Sequence, residues 1–204
     1  MDYHIDLLPD NIYHVFSRAV GSEKLFLSDE NYRFFLSKFN AYIFPIADVY
    51  AWALLPNHFH FMIRIKEQKQ VEDYYFHLKN ASLKSENTSA FIMQCFSNFL
   101  NSYTKSFNKI HRRKGALFMD YLRRVTVNNE SQIGATAFYI HKNPVHHGYC
   151  TLPEHWKWSS YNAYLFKKPT QRGPIELLDW FGGLTAFKKY HEQPIYLKSA
   201  VIIE

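Results

Sequence analysis

Residues 58–65 alternate as only an extended strand does. Phe59, Phe61, Ile63 and Ile65 fall on one parity, and His58, His60, Met62 and Arg64 on the other. Successive side chains of a strand face opposite sides, so the odd set faces a core and both histidines share the other face. Two residues along a strand span ~6.6–6.8 Å, close enough for two imidazoles to tilt onto one small cation. Pro56-Asn57 separates this strand from the apolar run 49–55 and reads as a tight hairpin turn. A metal platform fits the pattern. So do two partly exposed histidines on the polar face of an ordinary strand, and from a bare His-x-His that is the commoner reading.

The chain of 204 residues is long enough for one domain, or one domain with an appendage, around a sizeable core. Its formal net charge of +6 and pI near 9.1 suggest a polyanionic partner, without specifying an activity. Cys95 and Cys150 are the only cysteines and have no paired spacing, which argues against a disulfide framework and a thiolate zinc site. There is no apolar run of about 18 residues, and the acidic start 1–10 lacks the shape of a signal peptide. The expectation is a soluble cytoplasmic protein.

Residues 11–20 read as a first strand stopped by Gly21. Ser28-Asp29-Glu30 opens a helix carrying Tyr32, Phe35, Leu36, Phe39 and Ile43 at helical spacing up to Pro45. The two central strands follow, and then 67–90, polar and weakly periodic, expected as a mobile insertion or a loose helix. Residues 91–110 form a stronger helix, its stripe of Phe91, Cys95, Phe99, Leu100, Tyr103 and Phe107 suited to core packing. Residues 117–127 read as a fourth strand. Asn128-Asn129-Glu130 caps a last helix that runs to Asn143 and stops at Pro144. The order β-α-β-β-α-β is that of an α+β, ferredoxin-like (split βαβ) antiparallel sheet, here with one further helix. Residues 1–166 are expected as the main domain, and 167–204, rich in glycine and proline, as a smaller appended segment.

On the last helix Tyr139 and Asn143 are four residues apart and share a face, whereas Ile133, Ala137 and Ile140 lie on another. Asn143 offers a third, oxygen ligand to a cation on His58 and His60, and Tyr139 a nucleophile beside it. Two imidazoles and one carbonyl oxygen leave coordination positions open, which suits Mg²⁺ or Mn²⁺ better than closed structural zinc. Spacing alone favours plain packing, because the chain has 15 tyrosines.

Five separated motifs add to this: Tyr13-His14-Val15-Phe16-Ser17-Arg18; 54–61; Tyr103 to Asn108 with Gly115-Ala116-Leu117-Phe118; Tyr139 to Val145; and Trp158-Ser159-Ser160-Tyr161. In this order, from about Tyr13 to Leu165, they resemble the small single-tyrosine transposases with a His-hydrophobic-His metal motif, in particular the REP-associated tyrosine transposase group. The resemblance implies that His58, His60 and Asn143 bind the metal and that Tyr139 attacks DNA. Tyr121 and Tyr149 are the alternative nucleophiles, but neither has a ligand four residues on in a helix. The implied reaction cuts single-stranded DNA at a hairpin or palindromic element through a 5′-phosphotyrosine, leaving a 3′-OH that allows strand transfer. It also implies a nucleoid-associated protein acting as a monomer or as a homodimer that exchanges the tyrosine helix. Met119-Asp120-Tyr121 departs from the polar-basic stretch usual in relatives.

Lys105, Lys109, Arg112, Arg113 and Lys114, followed by Arg123 and Arg124, form a basic cluster interleaved with aromatics. Phosphate binding and a solvated basic turn fit it equally. Arg18 and Lys142 are further candidate DNA contacts. His141, His146 and His147 are expected at the surface, and Trp156, Trp158 and Tyr161 in the core. A domesticated or inactive nucleic-acid-binding module, and a metal-dependent phosphodiesterase using water, are the competing functions.

Overall fold

A computed structural model describes residues 3–119, 122–166 and 171–194. Four strands, β1 (Ile12–Arg18), β2 (Ala47–Leu55), β3 (His58–Ile65) and β4 (Arg123–Thr126), form one sheet of order β2-β3-β1-β4 in which every neighbouring pair is antiparallel. The helix α1 (Asp29–Tyr42) connects β1 to β2. Two helices, α2 (Gln68–Lys79) and α3 (Thr88–Ile110), connect β3 to β4, and α4 (Glu130–His146) follows. The fold is thus α+β, built on a four-stranded antiparallel sheet.

The alternation of β3 divides the molecule into two cores. Phe59, Phe61, Ile63 and Ile65 join Tyr13 and Val15 of β1 beneath α1 and α3. Phe39 of α1 stacks on Phe61 with ring centroids 4.1 Å apart, and Phe35 meets Phe99 of α3 at 4.8 Å. Met62 lies on the opposite face, in a second core with Ile133, Ala137 and Ile140 of α4. A register shift between Val49 and Ala51 puts both Tyr50 and Ala51 on this second face, as a bulge does.

Several boundaries differ from the sequence reading. Residues 68–79 are a helix, but Val71 is its one buried residue, which is why its apolar period is faint. The fourth strand is shorter than 117–127. Phe118 makes a separate bridge to Ala19, β4 begins at Arg123, and Asp120 and Tyr121 lie outside the described residues. Pro144 does not end α4, which continues to His146. The ring forfeits one backbone bond in the final turn, and the carbonyls of that turn are still capped, by His147 N–H on Asn143 and Tyr149 N–H on Pro144, with Gly148 at φ +70° providing the left-handed exit.

Three short helices, α5 (Tyr161–Phe166), α6 (Arg172–Phe181) and α7 (Leu184–Glu192), complete the second core through Tyr161, Tyr164, Leu177 and Phe187. The segment expected as an appendage therefore helps to bury α4. Gly173 is the closest approach, since a Cβ there would collide with the Val49 carbonyl of β2. Backbone cannot yield as a side chain does, so Gly173→Ala is expected to push α6 off the sheet and cost about 3 kcal/mol. A thermal melt should read a Tm lower by roughly 6–12 °C.

His141 is not at the surface; it is fully buried behind α4. Its Nδ1 is 3.0 Å from Nε2 of His191, and its Nε2 is 2.8 Å from Ser160 Oγ. Nδ1–H of His191 donates to the Phe187 carbonyl at 2.9 Å, which leaves its Nε2 to accept from His141 and leaves Nε2 of His141 to accept the serine proton. Ser160 Oγ in turn accepts Trp52 N–H at 2.9 Å, so this network ties α4 and α7 to β2.

Burial pushes His191 down to about 4 from its ordinary 6.5. Its neighbours are His141, Tyr161, Phe187 and Lys142, the last also disfavouring protonation. As pH falls through 6.5 the unfolded chain takes up the proton first, so stability is full above about 6.5 and is lost on the way down to about 4. The whole contribution is on the order of 3 kcal/mol. Denaturant titrations at pH 7.5 and pH 5 should show a loss about 2 kcal/mol larger in the wild type than in His191→Phe.

Both outer strands are covered along part of their free edges. Residues 158–160 run along β2, where Leu54 N–H donates to Trp158 O at 2.8 Å and Ser160 N–H to Trp52 O at 2.9 Å. On the far side Arg124 N–H of β4 donates to Tyr3 O at 3.1 Å.

Candidate functional site

The second face of β3 is roofed by α4, and the expectation of partly exposed histidines there is corrected for His60. His60 is 2% exposed and His58 is half-buried. Strand pairing brings β1 alongside, with Phe16 opposite His60 and Arg18 opposite His58. The helix period then delivers two side chains from α4 onto the same spot. Nε2 of His58 lies 2.9 Å from Asn143 Oδ1. The ring of Tyr139 packs edge-on against His60, with centroids 5.5 Å apart. His58, His60, Tyr139 and Asn143 thus meet within one chain.

Two neighbours were not assigned from the sequence. His14 of β1 is 3% exposed, and its Nε2 is 2.9 Å from Nδ1 of His60. Its ring also meets Tyr139 at 5.9 Å. The signal was parity, since His14, Phe16 and Arg18 alternate against Tyr13 and Val15, and the strand order sets that polar row beside His60. His147, expected at the surface, is half-buried, and its ring lies 4.8 Å from His58. Burial lowers His60 well below its ordinary value, helped by nearby imidazoles, and desolvation lowers His14 to about 3. Both rings are therefore neutral at physiological pH, the protonation state that ligates metals.

The donor set fits a divalent ion. His60 Nε2 and Asn143 Nδ2 are buried, and neither makes a hydrogen bond among the described residues. Nδ1 of His58 is 2.8 Å from Asn57 Oδ1, which accepts its proton and leaves a lone pair on Nε2. That lone pair faces the lone pairs of Asn143 Oδ1 at 2.9 Å, a contact that repels unless a proton or cation lies between. Adjacent ligands of an octahedral ion with bonds near 2.1 Å stand about 3.0 Å apart. Among the described residues no three His, Cys, Asp or Glu side chains gather as a metal site, so the amide oxygen is needed to complete the set.

The proposed DNA contacts divide into two groups. Arg18 is exposed beside His58 and makes no ion pair among the described residues. Lys105, Lys109, Arg112 and Lys114 are exposed at the end of α3 and in the loop after it, and that loop reaches Arg18, whose carbonyl accepts Met119 N–H at 2.8 Å. Arg123, opposite Phe16, belongs to the site face and lies 5.7 Å over the ring of Tyr3. The others are engaged internally. Arg113 pairs with Glu23 and donates to the Ala116 carbonyl at 2.6 Å. Arg124 is 6% exposed and donates to the carbonyls of His4, Ile5 and Leu122. Lys142 is half-buried near Phe138, and burial lowers its ammonium. Of the alternative tyrosines, Tyr149 is 42% exposed and Tyr121 lies outside the described residues.

No protein-family model matches this chain, and no curated protein does. Among solved structures, the fold resembles that of a REP-associated tyrosine transposase bound to a REP hairpin. That likeness has a TM-score of 0.57 and 16% sequence identity, and it covers 83% of this chain and 88% of the other. At that identity the likeness is one of fold. Among the described residues no helix is long and apolar enough to cross a membrane.

Proposed function

We propose that this protein is a metal-dependent single-stranded DNA endonuclease and strand transferase, a tyrosine transposase acting at hairpin or palindromic DNA. The carrying observation is that Tyr139 and Asn143 of α4 are seated against His58 and His60 of the same chain. The strand order and the two helical crossovers support reading the sheet as a ferredoxin-like split βαβ arrangement, and the likeness to a hairpin-bound transposase supports the substrate.

His58 Nε2, His60 Nε2 and Asn143 Oδ1 would hold a divalent ion, Mg²⁺ or Mn²⁺, which would polarise a phosphate oxygen. Arg18, beside His58, binds the phosphate, and the exposed lysines and arginines of the 105–114 segment follow the strand. The Tyr139 oxygen attacks phosphorus in line, a phosphotyrosine bond forms, and the 3′ oxygen leaves with the proton. A 3′-OH from another strand reverses the step, so ends are exchanged without nucleotide hydrolysis. Tyr139 is 4% exposed, and its ring swings out from against His14 and His60 to meet the phosphate. The tyrosine and the proposed ligands face one another within one chain, which supports nicking by a monomer.

The burial of Tyr139 also favours a second reading, a phosphodiesterase in which water attacks and the tyrosine only packs. Labelled single-stranded hairpin DNA incubated with the protein and Mn²⁺ separates the two. A protein–DNA adduct that survives denaturation supports the tyrosine nucleophile. Cleavage without an adduct supports water, and DNA binding without cleavage supports a plain binding module.

A further inference from the structure

We propose that His14 is a positioning residue that decides which nitrogen of His60 is bare: Nε2 of His14 accepts the Nδ1 proton of His60, leaving a lone pair on Nε2 of His60. The inference rests on the reading of His60 as a metal ligand and deepens it.

The two nitrogens are 2.9 Å apart in rings 3% and 2% exposed, so one proton lies between them. It belongs to one ring or the other. If His14 donates, His60 must carry its own proton on Nε2, a buried N–H with no acceptor among the described residues. Orphaned buried donors are rarer in folded proteins than under-used acceptors. If His60 donates, Nε2 is an unprotonated ligand atom, and a cation satisfies it. His58 is arranged the same way by a different group, since Asn57 Oδ1 accepts at its Nδ1. Each histidine of the pair is thus held from behind at Nδ1, by an amide on one side and by an imidazole from the neighbouring strand on the other. The antiparallel register sets the second contact, because His14 and His60 lie on the same face of adjacent strands.

The test uses metal-free protein with ¹⁵N-labelled histidine, read by long-range ¹H–¹⁵N spectra that distinguish protonated from bare ring nitrogens. Wild type is expected to show His60 protonated on Nδ1 and bare on Nε2. His14→Phe keeps a ring of similar size but has no acceptor, and is expected to move at least half of His60 to the Nε2–H tautomer. Its Mn²⁺ dissociation constant should rise at least ~10-fold. His14→Gln, whose amide oxygen accepts a proton, should restore both. A wild-type spectrum with His60 protonated on Nε2 overturns the inference, and needs no variant to fold. So does a His14→Phe protein with an unchanged tautomer and unchanged Mn²⁺ affinity, the result expected if His14 only fills space. Should the wild type show the stated tautomer but bind no Mn²⁺, the metal assignment falls while the hold of His14 on His60 stands.

Discussion

Tyr139→Phe is expected to abolish the protein–DNA adduct and lower DNA cleavage by roughly 10⁴-fold or more, with the fold unchanged. The substitution deletes one oxygen and keeps the ring that packs against His14 and His60, so stability should move by less than about 1 kcal/mol. Because the nucleophile rather than the ion is lost, Mn²⁺ affinity should stay within about twofold of wild type. A denaturing gel of end-labelled oligonucleotide reads the adduct, and calorimetry reads the ion. Cleavage at the wild-type rate in this variant would assign the attack to water and leave Tyr139 a packing role.

His60→Ala should lose on two counts. It removes a proposed ligand, so Mn²⁺ affinity is expected to fall at least ~100-fold and cleavage with it. It also empties a site lined by His14, Phe16, His58 and Tyr139. An exposed histidine on a polar strand face would cost almost nothing to remove. At 2% exposure the cavity is expected to cost about 2–4 kcal/mol, or roughly 4–16 °C in Tm. His58→Ala is the comparison: half-buried at the strand end, it should lose the ion as completely with a smaller drop in Tm. Equal melting of wild type and His60→Ala would contradict the enclosed site.

The legible parts were those with a strict period. The alternation of 58–65 set the two faces of β3, and the four-residue step from Tyr139 to Asn143 placed both on one turn of α4. What stayed hidden was decided by partners far away in sequence. His141 reads as one more polar residue of a helix until His191 and Ser160, 50 and 19 positions on, give both ring nitrogens a bond. Arg124 looks like its basic neighbours, yet the backbone of 4–5 folds over β4 and takes up its guanidinium. Pro144 was read as a stop because local rules count one lost bond, whereas that loss in a final turn is small. The glycines and prolines of 167–204 suggested an appendage, and Gly173 proves to be where α6 must touch β2.

The covered outer strands bear on how copies of this chain can meet. With 158–160 along one margin of the sheet and Tyr3 on the other, ladder positions there are already occupied by the chain's own backbone. A second molecule could not extend the ribbon at those positions without first stripping away a resident segment. At those positions the sheet is guarded against the runaway stacking that bare margins invite.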